Sequence, residues 1–288
     1  GLVGSEMCIS DSHRTVTAPG GDLAVYEYGH PEADTIVLIP GITDTHRIWN
    51  RVATGLADSF HVVTYDVRGH GRSSAPTRTH RYRLPHLADD LFAVLDAVSP
   101  RTPVHLAGHG WGAIQIWYAL GDPRANTRIA SATALSAPHL DHLALALRDL
   151  RCPRSPWWRL PRLSWLVLGR RLLHWPRLRA RVLPQAGTWP TDLLAGARIV
   201  SANLVHHLRH PRPQHTAVPI QLILDRADTA ALPSLRTHIR RDVDRLWLRE
   251  LPADPWLPLT EPLLVVEAIA NFIDDQHTDH RPIHYTPR

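Results

Sequence analysis

Between Val104 and Ile114 the chain reads Val-His-Leu-Ala-Gly-His-Gly-Trp-Gly-Ala-Ile: an apolar run, a cluster of small residues, then a helix-forming run. This is the form of a nucleophile elbow, in which a strand turns sharply into a helix and lifts one side chain above the end of a sheet. The turn brings the two backbones so close that the residues two positions either side of the apex must be small. Gly108 and Gly112 meet that need, which places Gly110 at the apex. Glycine has no side chain with which to attack. The sequence therefore reads as an enzyme without its nucleophile, an enzyme that uses another one, or a binding protein.

The elements that must position this turn follow from hydrophobic period. Thr15 to Ala18 and Leu23 to Tyr28 alternate around Pro19-Gly-Gly-Asp22, which predicts a hairpin. Buried-strand runs are expected at Thr35–Ile39, His61–Tyr65, Pro103–Ala107, Ile129–Leu135, Pro219–Leu224 and Arg245–Leu251. Helical spacing is expected over Thr45–Asp58, Leu84–Val98, the run after the elbow to about Leu120, Ala231–Arg240 and Glu261–Asp274. Strands that alternate with helices predict a mostly parallel sheet covered on both faces. The alternation is broken over 139–205 by a segment rich in Pro, Arg and Trp, and an insertion of that length in a compact domain needs structure of its own.

The composition bounds the function. The chain has 288 residues, and all 32 of its basic residues are arginine. That bias discounts the isoelectric point of 9.7 as a sign of nucleic-acid binding, and no nucleic-acid motif accompanies it, so no nucleic-acid partner is expected. The two cysteines, Cys8 and Cys152, are too few for a disulfide framework, and no stretch of about 18 apolar residues occurs, so a cytoplasmic protein is expected. Gly1 to His13 reads as a disordered or extraneous tail. The 20 histidines show no ligand spacing such as His-Glu-x-x-His, so neither a metal nor another cofactor is expected.

Three stretches, Tyr65-Asp-Val-Arg-Gly-His-Gly-Arg-Ser73, Ala88-Asp-Asp-Leu-Phe-Ala-Val-Leu-Asp96 and Val104 to Trp117, carry a resemblance. With the elements in this order the chain resembles the α/β-hydrolase superfamily over about residues 15 to 274, and within it the epoxide hydrolase and haloalkane dehalogenase group. It looks most like the hydrolase half of two-domain proteins that carry a short-chain dehydrogenase downstream, and the chain is expected to hold that half alone. The resemblance implies an α/β-hydrolase fold: a mostly parallel sheet with helices on both faces and an inserted helical cap. The expected division is a tail at 1–13, a core at 14–138 and 206–275, a cap at 139–205 and a tail at 276–288.

The resemblance also assigns roles. The family nucleophile, an Asp, falls on Gly110; the triad acid falls on Asp228; the base, a His, falls on Pro255. Two of the three are thus lost. The loop after the third strand, Pro40-Gly-Ile-Thr43, and the first residue after the apex imply an oxyanion hole from the N–H groups of Ile42 and Trp111. Epoxide hydrolases also use two cap tyrosines, whereas all six tyrosines here lie outside the cap. An apolar pocket between core and cap is expected at Gly41, Trp49, Trp157 and Trp256. Asp44 and His109 are the candidate substitute nucleophile or base, although Asp44 is also placed to cap the helix expected at Thr45. Asp66 and Arg68 read as structural pairs or caps, and His70 as a surface residue.

The expected function is a catalytically impaired epoxide-hydrolase-like protein that binds a hydrophobic small molecule. An active hydrolase of epoxides, haloalkanes or esters using Asp44 or His109 is the alternative, and a non-catalytic scaffold a further one. From Arg148 to Arg181 ten Arg and the tryptophans Trp157, Trp158, Trp165 and Trp175 accompany a single acid, Asp149. Solvated arginines above buried tryptophans are the plain reading of that stretch; peripheral contact with an anionic membrane is the sharper one.

Overall fold

The computed structural model describes residues 12–149, 190–225, 234–251 and 256–278. Trp157, the Arg- and Trp-rich stretch of the insertion, Asp228 and Pro255 lie outside the described residues.

The hairpin forms from β1 (Ser12–Ala18) and β2 (Gly21–Tyr28). β1 begins three residues earlier than its alternation implies: Ser12 pairs with Glu27, and His13 pairs with Tyr26. Backbone pairing needs no particular side chain, so the ladder runs past the apolar pattern into the expected tail. The remaining strands are β3 (Thr35–Ile39), β4 (His61–Tyr65), β5 (Val104–His109), β6 (Ile129–Leu135), β7 (Ile220–Asp225) and β8 (Leu246–Leu251). They build one eight-stranded sheet in the order β1-β2-β4-β3-β5-β6-β7-β8. The pairs β1/β2 and β2/β4 are antiparallel and the rest parallel.

The helices are α1 (Asn50–Leu56), α2 (Leu84–Val98), α3 (Trp111–Ala119), α4 (Ala125–Arg128), α5 (Leu140–Asp149), α6 (Pro190–Arg209), α7 (Leu235–Asp242), α8 (Leu257–Thr260) and α9 (Pro262–His277). A short 3-10 helix, His46–Trp49, precedes α1. Every residue of β3, β4 and β5 is buried, as a strand covered on both faces requires. Val37, Ile39 and Val63 pack with α2 and α3 in one apolar cluster. Ile36, Leu38 and Val62 pack with α1 and α9 in the other. None of the helices among the described residues is long and apolar enough to cross a membrane.

The expected insertion, 139–205, holds α5 and most of α6, and α6 runs without a break to Arg209, so the boundary expected at 205 falls inside a helix. α6 is seated on the core. The Asn203 amide accepts from the Leu84 N–H at 2.8 Å and donates to the Tyr82 carbonyl at 2.9 Å, while Asp192 accepts from the Gly71 N–H at 3.0 Å.

α5 starts on a titratable cap. The Asp141 N–H donates to Nδ1 of the buried His139 at 3.0 Å, which only a neutral imidazole can accept. Burial, with His142 and His207 nearby, pulls the His139 pKa down to about 3 even though Asp141 opposes it. The unfolded chain therefore binds the extra proton below about pH 6.5, and stability falls as the pH drops from there towards 3. We expect the native chain to lose about 2 kcal/mol more than His139→Asn between pH 7 and pH 5, because Asn keeps an acceptor and does not titrate. Urea unfolding of both proteins at the two pH values measures the difference.

Candidate active site

β5 ends at His109 and α3 begins at Trp111, so the whole turn is one residue long. That residue, Gly110, has φ +56° and ψ −117°, a backbone conformation that strains any residue with a side chain. Its N–H donates to the Leu135 carbonyl at 2.9 Å, which locks the apex to β6. The flanking glycines are there for space. A Cβ on Gly108 would lie 2.6 Å from the Gly112 carbonyl carbon; one on Gly112 would press into the Ile39 carbonyl and lie 2.6 Å from the Pro40 carbonyl oxygen. At Gly110 the situation is reversed: a Cβ there would meet none of the described residues within 4 Å. The elbow is thus complete in its backbone and open at its apex.

The loop after β3 lies against this helix start. A turn closed by Asp44 N–H to Gly41 C=O at 3.3 Å carries Ile42. Of the two N–H groups expected to form an oxyanion hole, that of Ile42 lies inside this turn and that of Trp111 in the first turn of α3. The loop is held from behind by His70, whose Nε2 donates to the Ile42 carbonyl at 2.7 Å. His70 is 0% exposed, which overturns the surface position expected for it. Its partner lies 28 residues away, and nothing local in the sequence signals that contact.

The Asp66 turn is structural, as expected. The Asp66 carboxylate accepts from the His46 N–H and ring at 2.9 Å each, from the Arg72 N–H at 3.0 Å and from the Tyr26 hydroxyl at 3.3 Å. Burial raises its pKa, but the bonds from His46 outweigh burial and hold the group below the usual carboxylate range. Arg68 grips Asp90 on α2 through two bonds of 2.6 Å and also donates to the carbonyls of Arg81 and His86.

Asp44 does not cap the helix after it. Thr45 is the N-cap, its hydroxyl accepting from the Arg47 N–H at 3.4 Å, because its backbone is the extended residue at the helix entry. Asp44 turns inward instead. One of its carboxylate oxygens accepts from the Thr43 hydroxyl at 3.2 Å, and the other lies 3.8 Å from Nδ1 of His109. Both Asp44 and His109 are buried, and the edge of the Trp49 ring meets the His109 ring at 6.5 Å. The two substitute candidates are therefore neighbours. Of the expected pocket residues, Trp49 and Trp256 share the apolar cluster under α1 and α9, whereas Ile42 and Trp111, the expected oxyanion donors, belong to the cluster under α2 and α3. Gly41 is buried at the end of β3, and Trp49 Nε1 is buried with no hydrogen-bond partner.

The family whose members share the alpha/beta hydrolase fold matches residues 34–186. The chain belongs to the α/β-hydrolase family. Within that family it falls in the epoxide-hydrolase-like group. It is 33% identical over 291 residues to a Mycobacterium tuberculosis protein named "Probable oxidoreductase EphD", covering 91% of this chain and 49% of that protein. It is 36% identical over 131 residues to epoxide hydrolase A of the same organism, covering 45% of this chain and 39% of that one. Thus the α/β-hydrolase described here spans about half the length of the curated relatives it matches. Among solved structures, potato epoxide hydrolase I superimposes with a TM-score of 0.69 at 18% identity, covering 92% of this chain and 99% of that one. An epoxide hydrolase from Vigna radiata gives a TM-score of 0.68 at 21% identity, covering 92% and 98%. At such identities these structures speak for the fold alone.

The contrast between the glycines of this α/β-hydrolase elbow is measurable. Gly110→Ala meets open space and costs only the strain of its positive φ, about 1 to 2 kcal/mol. Gly112→Ala forces backbone apart and costs about 3 kcal/mol or more. Urea midpoints should rank native, Gly110→Ala and Gly112→Ala in falling order; equal effects would mean the close approach at 112 is absent.

Proposed function

We propose that this α/β-hydrolase is catalytically impaired and binds a hydrophobic small molecule between core and cap. One observation carries the reading: the elbow keeps its backbone geometry and the small residues that geometry demands, while its apex is Gly110, facing open space. In the group's chemistry a carboxylate attacks carbon to form an ester that water later releases. Glycine cannot form that ester. The second loss, Pro255 in the base position, supports the same reading, because proline has no group to take a proton from water. Triad members act as a unit, so restoring one of them alone leaves the reaction lost. The oxidoreductase in the long relatives' name belongs to those proteins; the half of their length that this chain covers carries the hydrolase-type elbow described here.

A substitute dyad has one observation in its favour, the 3.8 Å approach of His109 to Asp44 in a buried setting. On that second reading Asp44 is the base or nucleophile and the N–H groups of Ile42 and Trp111 stabilise the developing oxyanion.

The deciding comparison pairs the native chain with Gly110→Asp/Pro255→His on a panel of aryl epoxides, haloalkanes and esters. The native chain is expected to bind an apolar epoxide in calorimetry without consuming it, and the double variant to turn it over. Turnover by the native chain that disappears in Asp44→Asn or His109→Ala would replace the first reading with the second. A folded double variant that neither binds nor reacts would mean that no substrate pocket is left, the scaffold case.

A further inference from the structure

The elbow stands at the carboxyl ends of the parallel strands. At the opposite end of the same sheet the fold assembles three residues of another chemistry. Asp34 immediately precedes β3; His105 is the second residue of β5, in register beside Ile36 of β3; His277 is the last residue of α9. One ligand atom from each lies within 4.8 Å of the others. His277 Nε2 is 3.7 Å from an Asp34 carboxylate oxygen, and the His277 and His105 rings are 5.9 Å apart. No sequence motif announces this group, because its members lie 71 and 172 residues apart; the β3/β5 pairing brings Asp34 beside His105, and the end of α9 adds His277.

We infer that Asp34, His105 and His277 form a binding site for a borderline divalent transition-metal ion such as Zn2+. Two imidazoles and one carboxylate suit zinc, nickel or copper; calcium and magnesium take all-oxygen sets. Ligand atoms about 2.0 to 2.2 Å from a tetrahedral zinc stand about 3.4 Å from one another. The group is therefore about 1 Å from closing, and the two residues that must move are the exposed ones, Asp34 and His277 at 61% and 53% side-chain exposure. The third is fixed. His105 is buried, and its Nδ1 is 2.8 Å from the Ser131 hydroxyl on β6. That contact leaves Nε2 for a metal and supplies the outer hydrogen bond that metal-bound imidazoles characteristically make. Three protein ligands leave the fourth tetrahedral position to water on the solvent side.

The bound ion would clip the loop before β3, the central strand β5 and the end of the last helix to one another. A ligand that binds the folded state and not the unfolded one raises the melting temperature with its concentration. The site is independent of the elbow, so its test is separate from any assay of hydrolysis.

Zinc chloride titrated into the native chain in calorimetry is expected to give one ion per chain, reversed by a chelator, with a melting temperature that rises as zinc is added. Asp34→Ala and His277→Ala, both at exposed positions, should each weaken binding at least tenfold. Ser131→Ala, which removes only the outer hydrogen bond, should weaken it about 10-fold to 100-fold. His215→Ala, at an exposed histidine paired with Asp244, should leave it unchanged. Absence of zinc uptake by the native chain would overturn the proposal. So would uptake that Asp34→Ala and His277→Ala leave unaltered, since the metal would then reside on other histidines.

Discussion

At Gly112 the first turn of α3 lies so close to the carbonyls of Ile39 and Pro40 that no side chain fits between them. Much else in the molecule follows from that contact. It sets the depth at which α3 meets the sheet and so the position of Gly110 above β5. It also sets the loop that carries Ile42 directly beside the start of the helix. The in-register pairing of β3 with β5, which places Ile39 opposite Gly108, supplies the other half of the constraint. Two glycines and one strand register therefore define the local geometry before any catalytic side chain is considered.

A second tier of interactions holds the loops at that end of the sheet, and it is polar and buried. Asp66 collects four hydrogen bonds, Arg68 ties its loop to α2 through Asp90, and His70 reaches under the loop to Ile42. Buried charges of this kind are costly to leave unpaired, so each partner constrains the next. Helix α6 enters the same network. Asp192 of α6 takes the Gly71 N–H, and Gly196 of α6 sits against the Ile42 carbonyl without room for a Cβ. Those loops and α6 are thus one packed unit on this side of the site.

The elements and the elbow are legible in the sequence because their causes are local. Alternation makes strands, a 3.6-residue period makes helices, and a close backbone approach needs glycine at 108 and 112. Where the cause is local but two residues can serve it, reading slips by one position: Asp44 and Thr45 are both good caps, and the backbone chooses Thr45. Where the cause is remote, pattern reading fails. His70 looks like a surface residue until Ile42 is brought over it. Asp34, His105 and His277 have no shared sequence signature at all; they meet through the β3/β5 pairing and the end of α9.

The conformation of Gly110 has a consequence for the history open to such a chain. At φ +56° a glycine is relaxed where any other residue is strained. A lineage that arrives at glycine here is released from roughly 1 to 3 kcal/mol of strain. Later substitutions elsewhere can draw down that margin without loss of the fold. The return step then begins from a less tolerant background. The apex behaves as a ratchet: departure is downhill in stability, and re-entry is uphill by whatever has since been absorbed.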